Sequence, residues 1–458
     1  MSDRIVTDKP IIDPVYSQNA PNQSIDLGQV AVRFDFQGTT YNEVASAAMD
    51  FLPDHKLRFT IPFDDGQSVW KAKLSGILQI PLTLAKQNVT FDCSYVSTLR
   101  GGIAFSPMNS AVTVTQPCST ISTATFHLFN FPDFHSPEDY ILTTGEPPLQ
   151  GFKTCGRAIL KADDWIITIA ATERTDQLDK RLLDGYVITH IGQIVREDGA
   201  TFTSEQLDDV LACLCYFLSF TLGRWVGAEL PVGFDGSGNR VFERWGMGRT
   251  TQGPWESFCS WFHPLHGELL SQVFPGFMRM WKSELWHTPL THALYWYVGA
   301  CKGGAGIGVD TGLILAQAAL ELLAWNYCVQ DRKMVSSQAF RRNGLCASDK
   351  LRLLASSMDI PLAIPSDLLA LHGRPGKKWE DGMEAITSIR NSLVHPDNQL
   401  AVSSDSYAEA YRLSLWCINL VLLRLCNHNG RYVNLPATSG GLVTFDLVPW
   451  VKNDSTKA

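Results

Sequence analysis

Three side chains in the segment ITSIRNSLVHPD, namely Arg390, Asn391 and His395, are of types that can handle a phosphodiester. Histidine titrates near neutrality, so His395 can take or give a proton. Arginine stays charged, and the planar fork of Arg390 matches phosphate oxygens. Asn391 and His395 lie four residues apart and share one helix face, which lets the amide orient the imidazole. Arg390 and His395 are five apart, roughly 140° around an ideal helix, so one uninterrupted helix would not converge them. Pro396 relieves this by pushing residue 395 out of helical geometry.

These residues need a helix to carry them, and helical signals dominate after Gly312. Leu313, Gln317, Leu320, Ala324 and Tyr327 are spaced three or four apart, as on one face of a helix. Residues 348–358 predict a second helix opened by Ser348 and Asp349, residues 379–395 a third, and residues 407–426 a fourth. The stretch HGRPGKK separates the second from the third. Four helices of this length make a bundle within ordinary domain size.

Upstream, from about residue 28 to 200, short apolar or alternating runs recur, among them VAVRFDF, HKLRFTIPF, VTFDCSYV, STATFHLFNF and WIITIAAT. They are rich in β-branched and aromatic residues and are broken by Gly, Pro, Asp and Asn, which predicts strands in a sandwich or a curled antiparallel sheet. Near Thr203 the pattern changes: Thr203 or Ser204 can cap a helix that runs to Leu222 and stops at Gly223. VGFDGSGNRVFERWGMGR reads as a turn or hairpin, and residues 255–287 as partly helical. The expected fold class is therefore α+β and multidomain. It comprises an antiparallel β-rich, sandwich-like domain (1–202), a helical and hairpin connecting region (203–288), a helical bundle (289–430) and a strand or ordered tail (431–458).

The segment Arg390-Asn391-Ser392-Leu393-Val394-His395 resembles the RNxxxH motif of HEPN ribonucleases, which are small helical bundles. The upstream helix LILAQAALELLAWNYC, with Glu321, is similar to the family's early helix, and the likeness covers about residues 290–430. The resemblance implies a metal-independent endoribonuclease in which the RNA 2′-OH attacks the adjacent phosphate. His395 and Arg390 would be catalytic with Asn391 beside them, and Glu321 is a candidate supporting group. HEPN ribonucleases pool the motifs of two protomers in a shared cleft, so the resemblance also implies a homodimer through the helical domain. No metal or other cofactor is expected. A β-rich N-terminal region joined to such a bundle is similar in architecture to ApeA-type abortive-infection proteins. The ribonuclease resemblance implies single-stranded or transfer RNA as partner, and the architectural likeness implies an unknown ligand or protein at the N-terminal domain and a role in prokaryotic phage defence or stress response. HEPN domains also serve as non-catalytic dimerisation or nucleotide-binding adaptors, which is the rival reading.

Charge gives a local signal. Residues 331–390 hold ten Lys or Arg against seven acidic residues, a net of +3 in a chain whose net is −8. The pairs Arg341-Arg342 and Lys377-Lys378 are candidate RNA-backbone contacts or, equally, solvated loop residues. The overall negative charge argues against a general duplex-DNA binder.

Other motifs carry less chemistry. His263 and His266 in HPLH suggest a metal pair, but the Pro between them breaks helical spacing and no acidic partner segment is evident. Cys213 and Cys215 lie in the apolar run of residues 210–223, where buried inert thiols are the default. That run is short for a bilayer span and suits a core helix. KGGAGIGVDTG and GFDGSGN lack the Lys-Ser/Thr ending of a P-loop. Eleven irregularly spaced cysteines do not form a disulfide framework, and MSDRIVTDKPIIDP lacks the apolar run of a signal peptide. The expectation is a soluble, cytoplasmic protein with no membrane association.

Overall fold

The computed structural model describes residues 5–36, 38–52, 55–62, 79–85, 88–99, 102–109, 111–114, 120–144, 151–172, 185–246, 260–302, 308–341, 344–372, 379–395, 400, 402–437 and 443–451. The chain divides into two compact units, Met1–Cys215 with Val226–Glu256, and Tyr216–Trp225 with Ser257–Ala458. The N-terminal region is β-rich and the C-terminal region helical, as the sequence patterns require.

In the first unit the strands β1 (Val6–Thr7), β2 (Ile25–Phe36), β3 (Thr39–Asp50), β4 (Lys56–Pro62), β5 (Gln79–Leu84), β6 (Val89–Leu99) and β7 (Gly102–Pro107) come first. The last six close into an antiparallel barrel in the order β2-β3-β4-β7-β6-β5, where a sandwich-like arrangement was expected. Alternation along each strand fixes which face is buried: Leu57, Phe59 and Ile61 in β4 and Ala45, Ala47 and Met49 in β3 all point to the core. Alternation does not say whether a sheet meets itself, because closure depends on strand tilt and stagger.

The next strands are β8 (Ala111–Thr113), β9 (Thr123–Phe129), β10 (Tyr140–Thr144), β11 (Gly151–Cys155), β12 (Arg157–Ala162), β13 (Trp165–Ala171) and β14 (Ile188–Arg196). After helix α1 (Ser204–Leu222) follow β15 (Glu229–Phe234) and β16 (Arg240–Gly246). Seven of these make one sheet in the order β12-β13-β14-β9-β15-β16-β8, while β1, β10 and β11 form a small sheet whose β1–β10 pair is parallel. The predicted hairpin is β15–β16. Its turn is held by the Asp235 carboxylate, which accepts from the Ser237 and Asn239 N–H groups at 2.9 Å. Because β15 pairs with β9, the hairpin belongs to this sheet and to the first unit, not to a connecting region over residues 203–288.

The second unit holds the end of α1 and the helices α2 (Glu268–Lys282), α3 (His287–Cys301), α4 (Val309–Trp325), α5 (Ser337–Arg341), α6 (Ala347–Ser357), α7 (Leu369–His372), α8 (Gly382–Val394) and α9 (Ser404–Leu425). A short β17 (Arg431–Val433) pairs with β18 (Phe445–Leu447), so the tail returns as a two-stranded ribbon. Helix α4 is central: it packs on α3, α6, α8 and α9, and it continues as a π-helical turn over Asn326–Asp331. The segment Val309–Asp331 has the length and apolarity of a membrane span, yet 61% of its most apolar window is buried inside the fold. Helices α2 and α9 meet where only glycine fits, since a Cβ on Gly276 would lie 1.8 Å from the Cys426 carbonyl oxygen.

Candidate active site

Helix α8 carries the Arg390–His395 motif, and its start is fixed by Asp381. The Asp381 carboxylate accepts from the Glu384 N–H at 2.8 Å, an N-cap that satisfies one of the orphan donors of the first turn. Asp381 is also held by Arg352 on α6, which donates from Nε to Oδ2 at 2.5 Å and from Nη2 to Oδ1 at 3.3 Å. The same guanidinium reaches Asp349 at 2.8 Å and Glu380 at 2.9 Å. Three carboxylates on one cation raise the Arg352 pKa, the Asp381 hydrogen bond most of all, while the Asp349 pKa is lowered chiefly by its hydrogen bond from Cys346 and then by Arg352. Asp349 also closes a capping box on α6, whose N-cap is Cys346.

The spacing of α8 sets the environment of Arg390. Met383, Ile386 and Thr387 are buried, and Arg390 follows them at intervals of seven, four and three residues. Its stem thus extends the core-facing stripe, which leaves it half-buried with the head near the helix end. Nη1 donates to Asn391 Oδ1 at 3.2 Å, and the buried Nε has no partner among the described residues. The helix ends at Val394, one residue short of the expected limit. His395 is the C-cap, extended at φ −119° and ψ 108°, with its N–H on the Asn391 carbonyl at 2.9 Å and its side chain exposed.

The structure therefore brings Arg390 and Asn391 together and releases His395 from the helix. The anticipated amide-to-imidazole contact is absent among the described residues: the Asn391 amide is bonded to Arg390. Glu321, on α4, accepts from Gln317 Nε2 at 2.7 Å and makes no hydrogen bond or ion pair with Arg390. Arg341 lies at the end of α5 with its guanidinium 4.3 Å above the Trp325 ring. Arg342, Lys377 and Lys378 lie outside the described residues.

Two buried amides escaped the sequence reading. Gln317 was counted only as a position on a helical face, yet its Oε1 is buried and has no partner among the described residues. Asn419 on α9 is fully buried and neither amide atom has a partner among the described residues. A lone Asn inside the apolar run SLWCINLVLLRL was the available signal.

The remaining motifs are structurally engaged. His263 Nδ1 accepts from the Leu265 N–H at 3.2 Å, His266 Nδ1 lies 3.0 Å from Glu268, and both rings pack on Phe445. No cluster of three or more metal-type ligands occurs among the described residues. Burial, with Glu229 as a second cause, pushes the Cys215 thiol up to about 12, where it is an inert neutral group, and Cys213 is fully buried.

Comparison with known proteins identifies relatives for most of this architecture. Residues 283–441 match the YopA C-terminal domain, which takes in all of α3 to α9, and residues 116–256 match the YopA central domain. Over 315 residues the chain is 28% identical to the SPbeta prophage-derived uncharacterized protein YopA of Bacillus subtilis (strain 168), covering 66% of this chain and 68% of that protein. No solved structure matches. The Arg390–His395 motif, its capping aspartate and the Arg352 cluster all fall within the stretch similar to the YopA C-terminal domain.

Proposed function

We propose that α4, α6, α8 and α9 form a HEPN-type bundle, and that the chain is a metal-independent endoribonuclease acting through Arg390 and His395. The observation that carries this reading is the end of α8. A half-buried guanidinium has an unengaged Nε, and an exposed imidazole sits five residues later on extended backbone. In the proposed reaction one His395 removes the 2′-OH proton as the oxygen attacks the adjacent phosphorus. A second His395, from the other protomer of a homodimer, protonates the departing 5′-oxygen. Arg390 steadies the charge on the phosphorane oxygens. The products are a 2′,3′-cyclic phosphate and a 5′-hydroxyl. The Bacillus subtilis relative is prophage-derived, which supports a phage-related setting, and the β-rich unit would control or target the nuclease.

The test is degradation of labelled single-stranded and transfer RNA in EDTA by wild type, His395→Ala and Arg390→Ala. Wild type is expected to leave cyclic-phosphate ends, with each variant slower by about 10²- to 10⁴-fold, the usual worth of a general acid or base. Equal cleavage by all three would remove both residues from the mechanism. The hydrogen bond from Arg390 to Asn391 and that from Gln317 to Glu321 favour a second reading, in which the motif is structural and the bundle is a binding adaptor. That reading predicts intact RNA in every reaction.

A further inference from the structure

The end of α4 and the elements after it gather cations over aromatic rings. Arg341 lies over Trp325 at 4.3 Å from the ring centroid, and Lys350 over Phe340 at 5.1 Å. Trp325 and Phe340 themselves meet edge to face at 5.4 Å, so the two cations cap a joined aromatic pair. Arg332 lies over Tyr327, the residue two past Trp325, at 5.4 Å.

This last contact depends on the π-helical turn. Residues five apart on an α-helix point roughly 140° away from each other. In the wider turn the Arg332 N–H bonds to the Tyr327 carbonyl at 2.8 Å, an i to i+5 bond that returns Arg332 above Tyr327. Such π-helical turns are rare and occur mostly as single turns inside α-helices, frequently at functional sites.

Among the described residues no carboxylate pairs with Arg332, Arg341 or Lys350. The nearby Asp331 accepts from the Trp286 indole at 3.1 Å, and Asp349 is engaged by Arg352 and Cys346. Between residues 325 and 350 five Lys or Arg face two Asp, in a chain whose net charge is −8. Arg332 and Arg341 are exposed, Trp325 and Tyr327 half-buried, and Phe340 buried.

We infer that this face of the second unit binds single-stranded RNA, with Arg332, Arg341 and Lys350 on its phosphates and the ring-backed guanidinium planes as stacking platforms for bases. Stacking on an aromatic ring fixes each guanidinium before the ligand arrives, so less rotamer freedom is lost on binding. Alternating cationic and planar groups is the chemistry of sequence-tolerant single-strand binding. An acidic peptide would use the charges and leave the planes idle. The choice of RNA over other polyanions rests on the nuclease reading above, while the face itself lies outside the Arg390–His395 motif.

The experiment is fluorescence anisotropy of the full chain with a labelled 12-nucleotide oligouridine in which 2′-fluorine replaces every 2′-OH, so that no cleavage by 2′-OH attack can occur. Wild type is compared with Arg332→Gln/Arg341→Gln/Lys350→Gln and with the equal-charge control Lys9→Gln/Lys56→Gln/Lys161→Gln across a salt series. The patch variant is expected to bind at least tenfold more weakly, with a salt slope shallower by about 2, from three phosphate contacts at about 0.7 each. The control is expected to match wild type. Arg332→Lys/Arg341→Lys should keep the salt slope and lose only the stacking contribution. Equal weakening of patch variant and control, or unchanged binding by the patch variant, overturns the inference. So does patch-dependent binding of polyglutamate or anionic vesicles without binding of RNA. Patch-dependent binding with no cleavage of ordinary RNA by any protein sustains the inference and sinks the nuclease. Cleavage with patch-independent binding does the reverse.

Discussion

Asp381 is the residue whose loss most directly tests how the candidate active site is held. Its carboxylate does two jobs: it caps α8 through the Glu384 N–H and it accepts from Arg352. Asparagine caps as well as aspartate, so Asp381→Asn removes the charge and spares the cap, while Asp381→Ala removes both. An N-cap is worth about 1 kcal/mol. Hydrogen bonds to a charged group contribute about 1.5–3 kcal/mol. The side chains of Asp381 and Arg352 are 10% and 21% exposed, so solvent screens the pair little, but Arg352 keeps Asp349 and Glu380 after the change. The expected local losses are therefore about 1–2 kcal/mol for Asn and about 2–4 kcal/mol for Ala. Two compact units make a single global unfolding energy ill-defined, so the assay is hydrogen exchange resolved to the α8 peptide. At 1.4 kcal/mol per decade, α8 should exchange roughly 5- to 30-fold faster in the Asn variant and roughly 30- to 1,000-fold faster in the Ala variant. Peptides of the β-barrel should be unchanged. Equal acceleration by Asn and Ala would deny the cap any role, and no acceleration by either would refute the whole account of how α8 begins.

Acid should loosen the first unit before it titrates most carboxylates. Burial, the largest cause, lowers the His127 and His190 pKa values from 6.5 to about 4 and about 3. The unfolded chain therefore binds more protons below pH 6.5, and stability that is full above that value is lost as pH falls toward the folded pKa values. At pH 5.5 the two imidazoles together should cost about 3 kcal/mol, which a melt followed by circular dichroism between pH 7.5 and 5.5 would register; a flat transition temperature over that range contradicts it. Asn419→Leu exchanges a buried amide that has no partner among the described residues for an apolar side chain of similar size, and it should leave stability unchanged or raise it by about 1–2 kcal/mol. A drop in denaturation midpoint would instead mean that the amide is satisfied by a bound water.

Sequence alone determined what short-range rules control. The strands of the N-terminal half follow from period-two alternation, and the helices after Gly312 from apolar residues three and four apart. Capping residues placed one helix start closely, residue 348 being anticipated against Ala347, while apolar periodicity alone placed the last helix at 407 and missed the Ser403 cap that starts it at Ser404. The third helix was expected from residue 379 and starts at Gly382, because Asp381 takes extended backbone as its cap. The release of His395 from helical geometry was legible too, in the following proline. Tertiary structure decided what depends on residues far apart in the chain. Closure of β2 to β7 into a barrel rests on β5 returning to β2, a pairing between residues 83–84 and 32–33 that no local pattern encodes. The hairpin β15–β16 joined the first unit because β9, about a hundred residues earlier, offers it an edge. In the candidate site, Asn391 took Arg390, although the four-residue spacing favoured His395, and Glu321 took Gln317. Spacing says which side chains share a face. Which of several neighbours a polar group bonds is settled by burial and by the side chains that the rest of the fold brings beside it.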